Sequence, residues 1–167
     1  MFLRAYRPED KRPLQQLFYD TVHTVNARDY TPQQLAAWAP TEPDRLIWSR
    51  LDSQFCFVVE SQKMLVGFVS LYLDGLVDFL YVHPDFQGRG VATALYKQVE
   101  RLARKRRFTI LQAETSITAR GFFEKNGFVI VTKTCKMLRG VEFLHYKMEK
   151  LLQPGGAATG LLQSQPG

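Results

Sequence analysis

Six consecutive residues, Gln87-Gly88-Arg89-Gly90-Val91-Ala92, form the pattern in this chain best suited to chemistry. They lie between a strand stopped by Pro84 and a helix that begins at once. The first N–H groups of a helix have no partner inside it, and the helix dipole adds partial positive charge there. Glycines beside such a start let the backbone approach an anion closely, so the six residues suit a phosphate cradle. A plain strand-to-helix turn would use the same residues. No Gly-Lys-Ser/Thr follows, which excludes the loop of a P-loop nucleotidase. A dinucleotide fold is disfavoured, because only one helix separates the strands and no acid closes a second strand about 20 residues on.

Charge points to the same place. The chain has 167 residues, 22 Lys and Arg against 16 Asp and Glu, and a formal net charge of +6. Between Arg89 and Arg107 stand seven bases and one acid, Glu100, which leaves 15 bases and 15 acids elsewhere. The run Arg101–Arg107 fits a solvated helix end whose cations complement the dipole, or long-range attraction of a polyanionic ligand. Nucleic acid is a weaker partner, because no aromatic residues interleave with the bases. Apolar residues at 46% and charged residues at 23% describe a globular protein of one domain, 1–152, followed by a Gly/Pro/Gln-rich, flexible tail, 153–167. No apolar run reaches the ~20 residues of a membrane span. Met1-Phe2-Leu3-Arg4 does not open a secretory signal, so a cytoplasmic location is expected. Cys56 and Cys135 read as buried, reduced thiols in apolar strands. His23, His83 and His145 show no metal-ligand spacing, so no metal is expected.

The elements that must hold the loop follow from periodicity. Phe2–Tyr6 reads as a strand, and Pro8-Glu9-Asp10 opens a helix whose buried face carries Leu14, Leu17, Phe18, Thr21, Val22 and Val25. Helices follow from Thr31-Pro32 to Pro40 and from Pro43 to Leu51. Phe55–Val59 and Leu65–Leu71 read as a hairpin about Ser61-Gln62-Lys63, and Asp74-Gly75 turns into a third strand, Leu76–Val82. A helix from Val91 to Lys105, a strand Phe108–Glu114, a helix Thr118–Asn126 and strands Phe128–Met137 and Glu142–Met148 complete the domain. The order describes an α/β protein with a mixed central sheet flanked by helices.

Leu80-Tyr81-Val82-x-Pro84, the loop in the form Gln/Arg-x-x-Gly-x-Gly/Ala, and a second block, Ala119-Arg-Gly-Phe-Phe123-Glu-Lys-Asn-Gly127-Phe128, together resemble the GNAT superfamily of N-acetyltransferases over about residues 2–150. Tyr30-Thr31-Pro32 through Trp38-Ala39-Pro40, with Ser116-Ile117-Thr118-Ala119, are similar to its small bacterial YafP-like branch. The resemblance implies a GNAT-type fold and acetyl-CoA as donor. It places Leu80, Tyr81 and Val82 along the pantetheine arm, and Gln87, Gly88, Arg89, Gly90, Val91, Ala92 and Thr93 around the pyrophosphate. Ser116 and Phe123 come beside the thioester, and Lys125 joins Arg101–Arg107 at the 3′-phosphate.

Direct transfer to an amine needs a proton acceptor. Strict alternation puts Leu76, Asp78, Leu80 and Val82 on one face, so Asp78 is expected as base or amine anchor, or else as a structural carboxylate. Glu114 is the reserve. The family's usual tyrosine acid matches Phe123, which carries no proton, and Ser116 stands where many members have asparagine. Tyr81 or Tyr146, or water, would then protonate the thiolate, or it would leave unassisted. Tyr30, Trp38 and Tyr72, with His23 and Trp48, are candidates for the acceptor site, or core aromatics. The expected function is acetylation of a small primary amine by a monomer or homodimer. The alternatives are a protein, peptide or aminoacyl-tRNA amine as acceptor, or a non-catalytic acyl-CoA sensor.

Overall fold

Short runs of β-branched and aromatic residues pair into one seven-stranded sheet in a computed structural model that describes residues 1–153. The strands are β1 (Phe2–Ala5), β2 (Phe55–Ser61), β3 (Met64–Leu71), β4 (Leu76–Val82), β5 (Ile110–Thr115), β6 (Val129–Leu138) and β7 (Val141–Leu151). They lie in the order β1-β2-β3-β4-β5-β7-β6, antiparallel throughout except for the parallel pair β4–β5. The helices are α1 (Lys11–Thr24), α2 (Pro32–Trp38), α3 (Arg45–Ser49), α4 (Val91–Lys105) and α5 (Arg120–Lys125). Element order and the mixed α/β class agree with the reading from periodicity. The tail reading covers 153–167, of which 154–167 lie outside the described residues.

Differences from the expected boundaries have local causes. Pro8–Asp10 forms a 3-10 turn ahead of α1, because the Asp10 carboxylate is taken by Arg4 at 2.8 and 2.9 Å and by the Arg7 N–H at 2.7 Å. The third helix starts at Arg45 instead of Pro43, because Asp44 accepts from the Leu46 N–H and caps it there. It ends early and continues as a 3-10 turn, Arg50–Ser53.

Two cores sandwich the sheet. Behind it, α4 packs Val91, Leu95, Val99 and Ala103 onto Val69, Leu71, Val77 and Val82. In front, α1–α3 pack Leu14, Phe18, Val22 and Trp48 onto Val58, Phe68 and Phe79. Trp48, Phe68 and Phe79 stack with ring centroids 5.2–6.0 Å apart.

Strict alternation fails in β4, and the expectation built on it is corrected here. Val69 pairs with Leu80 but Leu71 pairs with Val77, so β4 holds one residue more than β3 over that span. This is a bulge. Val77, Leu80 and Val82 face α4, whereas Phe79 and Tyr81 face the α1–α3 core. Asp78 sits in the bulge and is held from the front by Arg50 and Gln54, so it does not share a face with Leu80 and Val82. The Phe79 N–H, left without a ladder partner, donates to the buried Ser70 hydroxyl at 3.1 Å.

The seating of α4 depends on a missing side chain. A Cβ on Gly67 would lie 2.7 Å from Val91 Cγ1 and 3.1 Å from Leu95 Cδ1. Gly67→Val should therefore push the first turn of α4 off the sheet and cost about 1–3 kcal/mol, the range for overpacking a core. Urea denaturation of the variant checks this, and an unchanged midpoint would contradict the packing described.

Candidate active site

β4 and β5 register at only two positions, Leu76 with Gln112 and Val77 with Ala113. Beyond them the strands diverge. The His83 N–H donates to the Val66 carbonyl at 2.8 Å, and Val82 lies opposite Gly67. In an antiparallel ladder that pattern turns the N–H and C=O of Val82 and Leu80 away from β3, toward the opening. The Val82 carbonyl is taken there by Thr21 Oγ1 at 3.0 Å and Gln87 Nε2 at 2.7 Å. A cavity of about 490 Å³ fills the opening, walled by β4 on one side and by Ala113–Ser116 on the other.

At one mouth of the cavity stands the start of α4. Gly88 and Gly90 adopt φ of +70° and +80°, left-handed values that favour glycine, and nothing lies within 4 Å of where a Cβ would point. No side chain caps the helix, so its first N–H groups remain available. Gln87 is turned back onto Val82, while Ala92 lines the cavity. The Arg89 guanidinium lies over the Phe86 ring at 4.9 Å. Thr93, Lys97 and Arg101 are exposed, one turn apart along α4. Arg104 is bound to Glu100 at 2.7 Å, and Arg106 lies 4.6 Å from the Phe55 ring centroid. Burial opposes charge on Glu100, yet hydrogen bonds from Tyr96, Arg104 and Lys150 hold its pKa down to about 2. Glu100 thus neutralises part of the helix end, and the cations nearer the loop carry the field.

The other mouth opens toward α1–α3. Phe18, Trp38, Phe79 and Phe143 supply apolar wall, and Asp78, Glu114 and His145 supply polar groups. Asp78 receives Gln54 Nε2 at 2.8 Å and Arg50 at 3.3 Å. Glu114 is ion-paired with Lys136. Tyr81 also lines the cavity, and burial, together with the nearby Asp78 charge, pushes its pKa far up despite a bond from Trp38. Its phenol therefore keeps its proton at neutral pH. Phe123 is buried against Phe128 and closes the α5 side.

Several expected residues stand elsewhere. Tyr30 is buried, and its hydroxyl accepts from the Ile117 N–H at 2.8 Å, bracing the loop ahead of α5. Tyr72 belongs to the β3–β4 turn and Lys125 to the exposed end of α5, and neither lines the cavity. Ser116 lines it, but its hydroxyl accepts from the Ala119 N–H at 3.0 Å. Trp48 is core, the His23 ring meets the Ala39 carbonyl at 2.8 Å, and Tyr146 lies under Arg120. Arg50, Gln54, Lys136 and His145 escaped the sequence reading. Each is a single polar residue in a turn or strand, and only the fold brings it to the opening.

A sheet that parts beside an uncapped, glycine-led helix has close counterparts. The acetyltransferase (GNAT) domain family matches residues 26–150. This chain belongs to the GNAT superfamily of N-acetyltransferases. It is 33% identical to the uncharacterized N-acetyltransferase YafP of Escherichia coli K12 over 147 residues, covering 87% of this chain and 93% of that one. A GCN5-related N-acetyltransferase from Rhodopseudomonas palustris superposes with a TM-score of 0.86 at 35% identity, over 90% of this chain and 95% of that one. The PaiA N-acetyltransferase of Thermoplasma acidophilum, solved in complex with coenzyme A, shares the fold with a TM-score of 0.69 at 17% identity, over 91% of this chain and all of that one.

Neither thiol of this GNAT chain is built as a nucleophile. Burial, with the Asp10 charge adding, pushes the Cys56 pKa up to about 12. Cys135, expected to be buried, is instead exposed on the edge strand β6, on no wall of the cavity. A chromogenic disulfide at pH 8 should therefore titrate one thiol per native chain and two after unfolding. Rapid reaction of both in the native chain would contradict the burial of Cys56.

Proposed function

We propose that the protein transfers the acetyl group of acetyl-CoA directly to a small primary amine, within a ternary complex. One observation carries the reading: the opened edge of β4 meets the uncapped start of α4 at a single cavity. An amide-bearing pantetheine arm can add to the free C=O group of Leu80 and the N–H of Val82 as a strand would. Gly88 to Ala92 then receive the pyrophosphate at the positive end of the helix. Arg89, Thr93, Lys97 and Arg101 run on from the loop and suit the remaining phosphate. The coenzyme A bound by the PaiA relative supports the same use of this fold.

The acceptor half has aromatic walls and two carboxylates, which suits a small ammonium with an apolar body. Asp78 is the anchor for that ammonium, since Arg50 and Gln54 already hold its oxygens in place. The Leu80 N–H, just beyond the bulge, polarises the thioester carbonyl as it becomes an oxyanion. Tyr81 is the proton donor to the departing thiolate, and Phe123 shapes the thioester pocket. We assign this activity to a single domain, residues 1–152.

A second reading, a non-catalytic acyl-CoA sensor, is favoured by Phe123, which stands where a proton-donating tyrosine would be expected. Incubation with acetyl-CoA and an amine panel, followed by thiol release, separates the two: binding without turnover selects the sensor. Gly90→Val should weaken coenzyme A at least tenfold by calorimetry, because a β-branched residue at φ +80° distorts the loop. Asp78→Asn should raise the amine KM roughly 10–100-fold, the loss of one charged hydrogen bond, with coenzyme A affinity unchanged. An unchanged amine KM would remove Asp78 from the acceptor site.

A further inference from the structure

We propose that His145 takes the proton the acceptor amine must lose, through Nε2, with Thr134 holding the opposite ring nitrogen. This rests on the acetyl-transfer reading and adds the proton acceptor that reading lacks.

The placement follows from register. On β7, Leu144, Tyr146 and Met148 turn to the α4 core, so His145 and Phe143 turn to the front, where both line the cavity. The two rings stack at 18° with centroids 6.3 Å apart, which fixes the plane of the imidazole. His145 Nδ1 is buried without a hydrogen-bond partner, and so is the hydroxyl oxygen of Thr134. These two residues are direct cross-strand partners. Facing side chains in such a pair sit about 5 Å apart at Cβ, so a rotation about the Thr134 side chain joins the two orphaned atoms. Nδ1–H then donates to Thr134 Oγ1, and Nε2 keeps a lone pair. Nε2 makes no hydrogen bond among the described residues.

The surroundings favour a neutral ring. Glu114 faces it from β5 and Lys136 from β6, and these two are ion-paired. Lys147 lies two residues along β7, and α2, which packs on β7, carries no charged residue. Burial, then the Lys136 charge, lowers the imidazole pKa against a smaller opposing effect of Glu114. A neutral imidazole at physiological pH is the form that accepts a proton.

The transfer balances as follows. His145 Nε2 removes one proton from the ammonium and later releases it to solvent. The freed amine nitrogen attacks the thioester carbon, the C–N bond forms, and the C–S bond breaks as the oxyanion collapses. The second nitrogen-bound proton passes to solvent as the amide forms, and Tyr81 protonates the sulfur to the thiol and regains its proton from solvent.

The test combines kinetics with a tautomer measurement on the ligand-free chain. His145→Gln should lower kcat about 10²–10⁴-fold, abolish the acid limb of the kcat/KM profile, and leave coenzyme A affinity unchanged. Thr134→Val should weaken kcat less and shift the tautomer. Long-range ¹H–¹⁵N spectra of the wild-type chain should show Nδ1–H with a bare Nε2. An Nε2–H tautomer, or a His145→Gln enzyme that keeps both rate and acid limb, overturns the proposal. Failure of the wild-type chain to bind coenzyme A would instead sink the acetyl-transfer reading, while the tautomer still decides His145.

Discussion

The site depends on where pairing between β4 and β5 stops. Two positions register, and then the strands part. Exposing strand edges inside a domain is costly, because buried N–H and C=O groups need partners. The fold meets part of that need with side chains: Ser70 accepts the Phe79 N–H, and Thr21 and Gln87 cover the Val82 carbonyl. The rest of the β4 edge faces the cavity and can serve a ligand that presents amides. The bulge at Asp78 contributes to the same opening. By adding a residue to β4 it swings Phe79 and Tyr81 to the front while Leu80 and Val82 stay behind, so one short strand supplies wall to both halves of the cavity.

Electrostatics divides the molecule along the same line. On the α4 side the loop N–H groups, the helix dipole and Arg89 to Arg101 make a field suited to phosphates. On the α1–α3 side the carboxylates Asp78 and Glu114 are each paired with a cation, Arg50 or Lys136, so that half carries polar anchors without a large net field. On the proposed acetyl-transfer reading, charge draws the donor, whereas shape and hydrogen bonds select the acceptor. Gly67 links the two halves mechanically, because only a residue without a side chain lets α4 lie close enough for its first turn to border the cavity.

What the sequence made legible was local. The glycines before α4, the hairpin turns and the apolar periodicities each act within a few residues, and the element order and the glycine loop ahead of α4 followed from them. The +6 charge had an address for the same reason, since its bases lie on one helix and just beside its two ends. The acceptor side was hidden because it is assembled from distant, unremarkable positions. Arg50 comes from a 3-10 turn, Gln54 from the residue after it, Lys136 from an edge strand, and His145 from the last strand. The bulge was hidden too, since Leu76–Val82 alternates well enough to pass for a regular strand, and the extra residue shows only against β3. Tyr30 had the composition of a binding residue, yet its hydroxyl is spent on the Ile117 N–H.

The acceptor wall is itself held by long-range contacts, which explains why two short helices suffice to shape it. Arg139, in the β6–β7 turn at φ +48°, reaches the Ala37 carbonyl at 2.5 Å and the Asp44 carboxylate at 2.6 Å. The Gln34 amide donates to the Glu142 carbonyl at 3.1 Å. Asp44 caps α3 as well, so one carboxylate fixes both the start of that helix and the end of the hairpin. Through the Ala37 carbonyl, Arg139 also ties the end of α2, beside Trp38, to the strands that carry Lys136 and His145. The distance between aromatic wall and polar wall is therefore set by backbone contacts at α2 and the hairpin tip, outside the reacting centre. On the proposed reading, a substitution there would alter which amines fit without touching the glycine loop before α4.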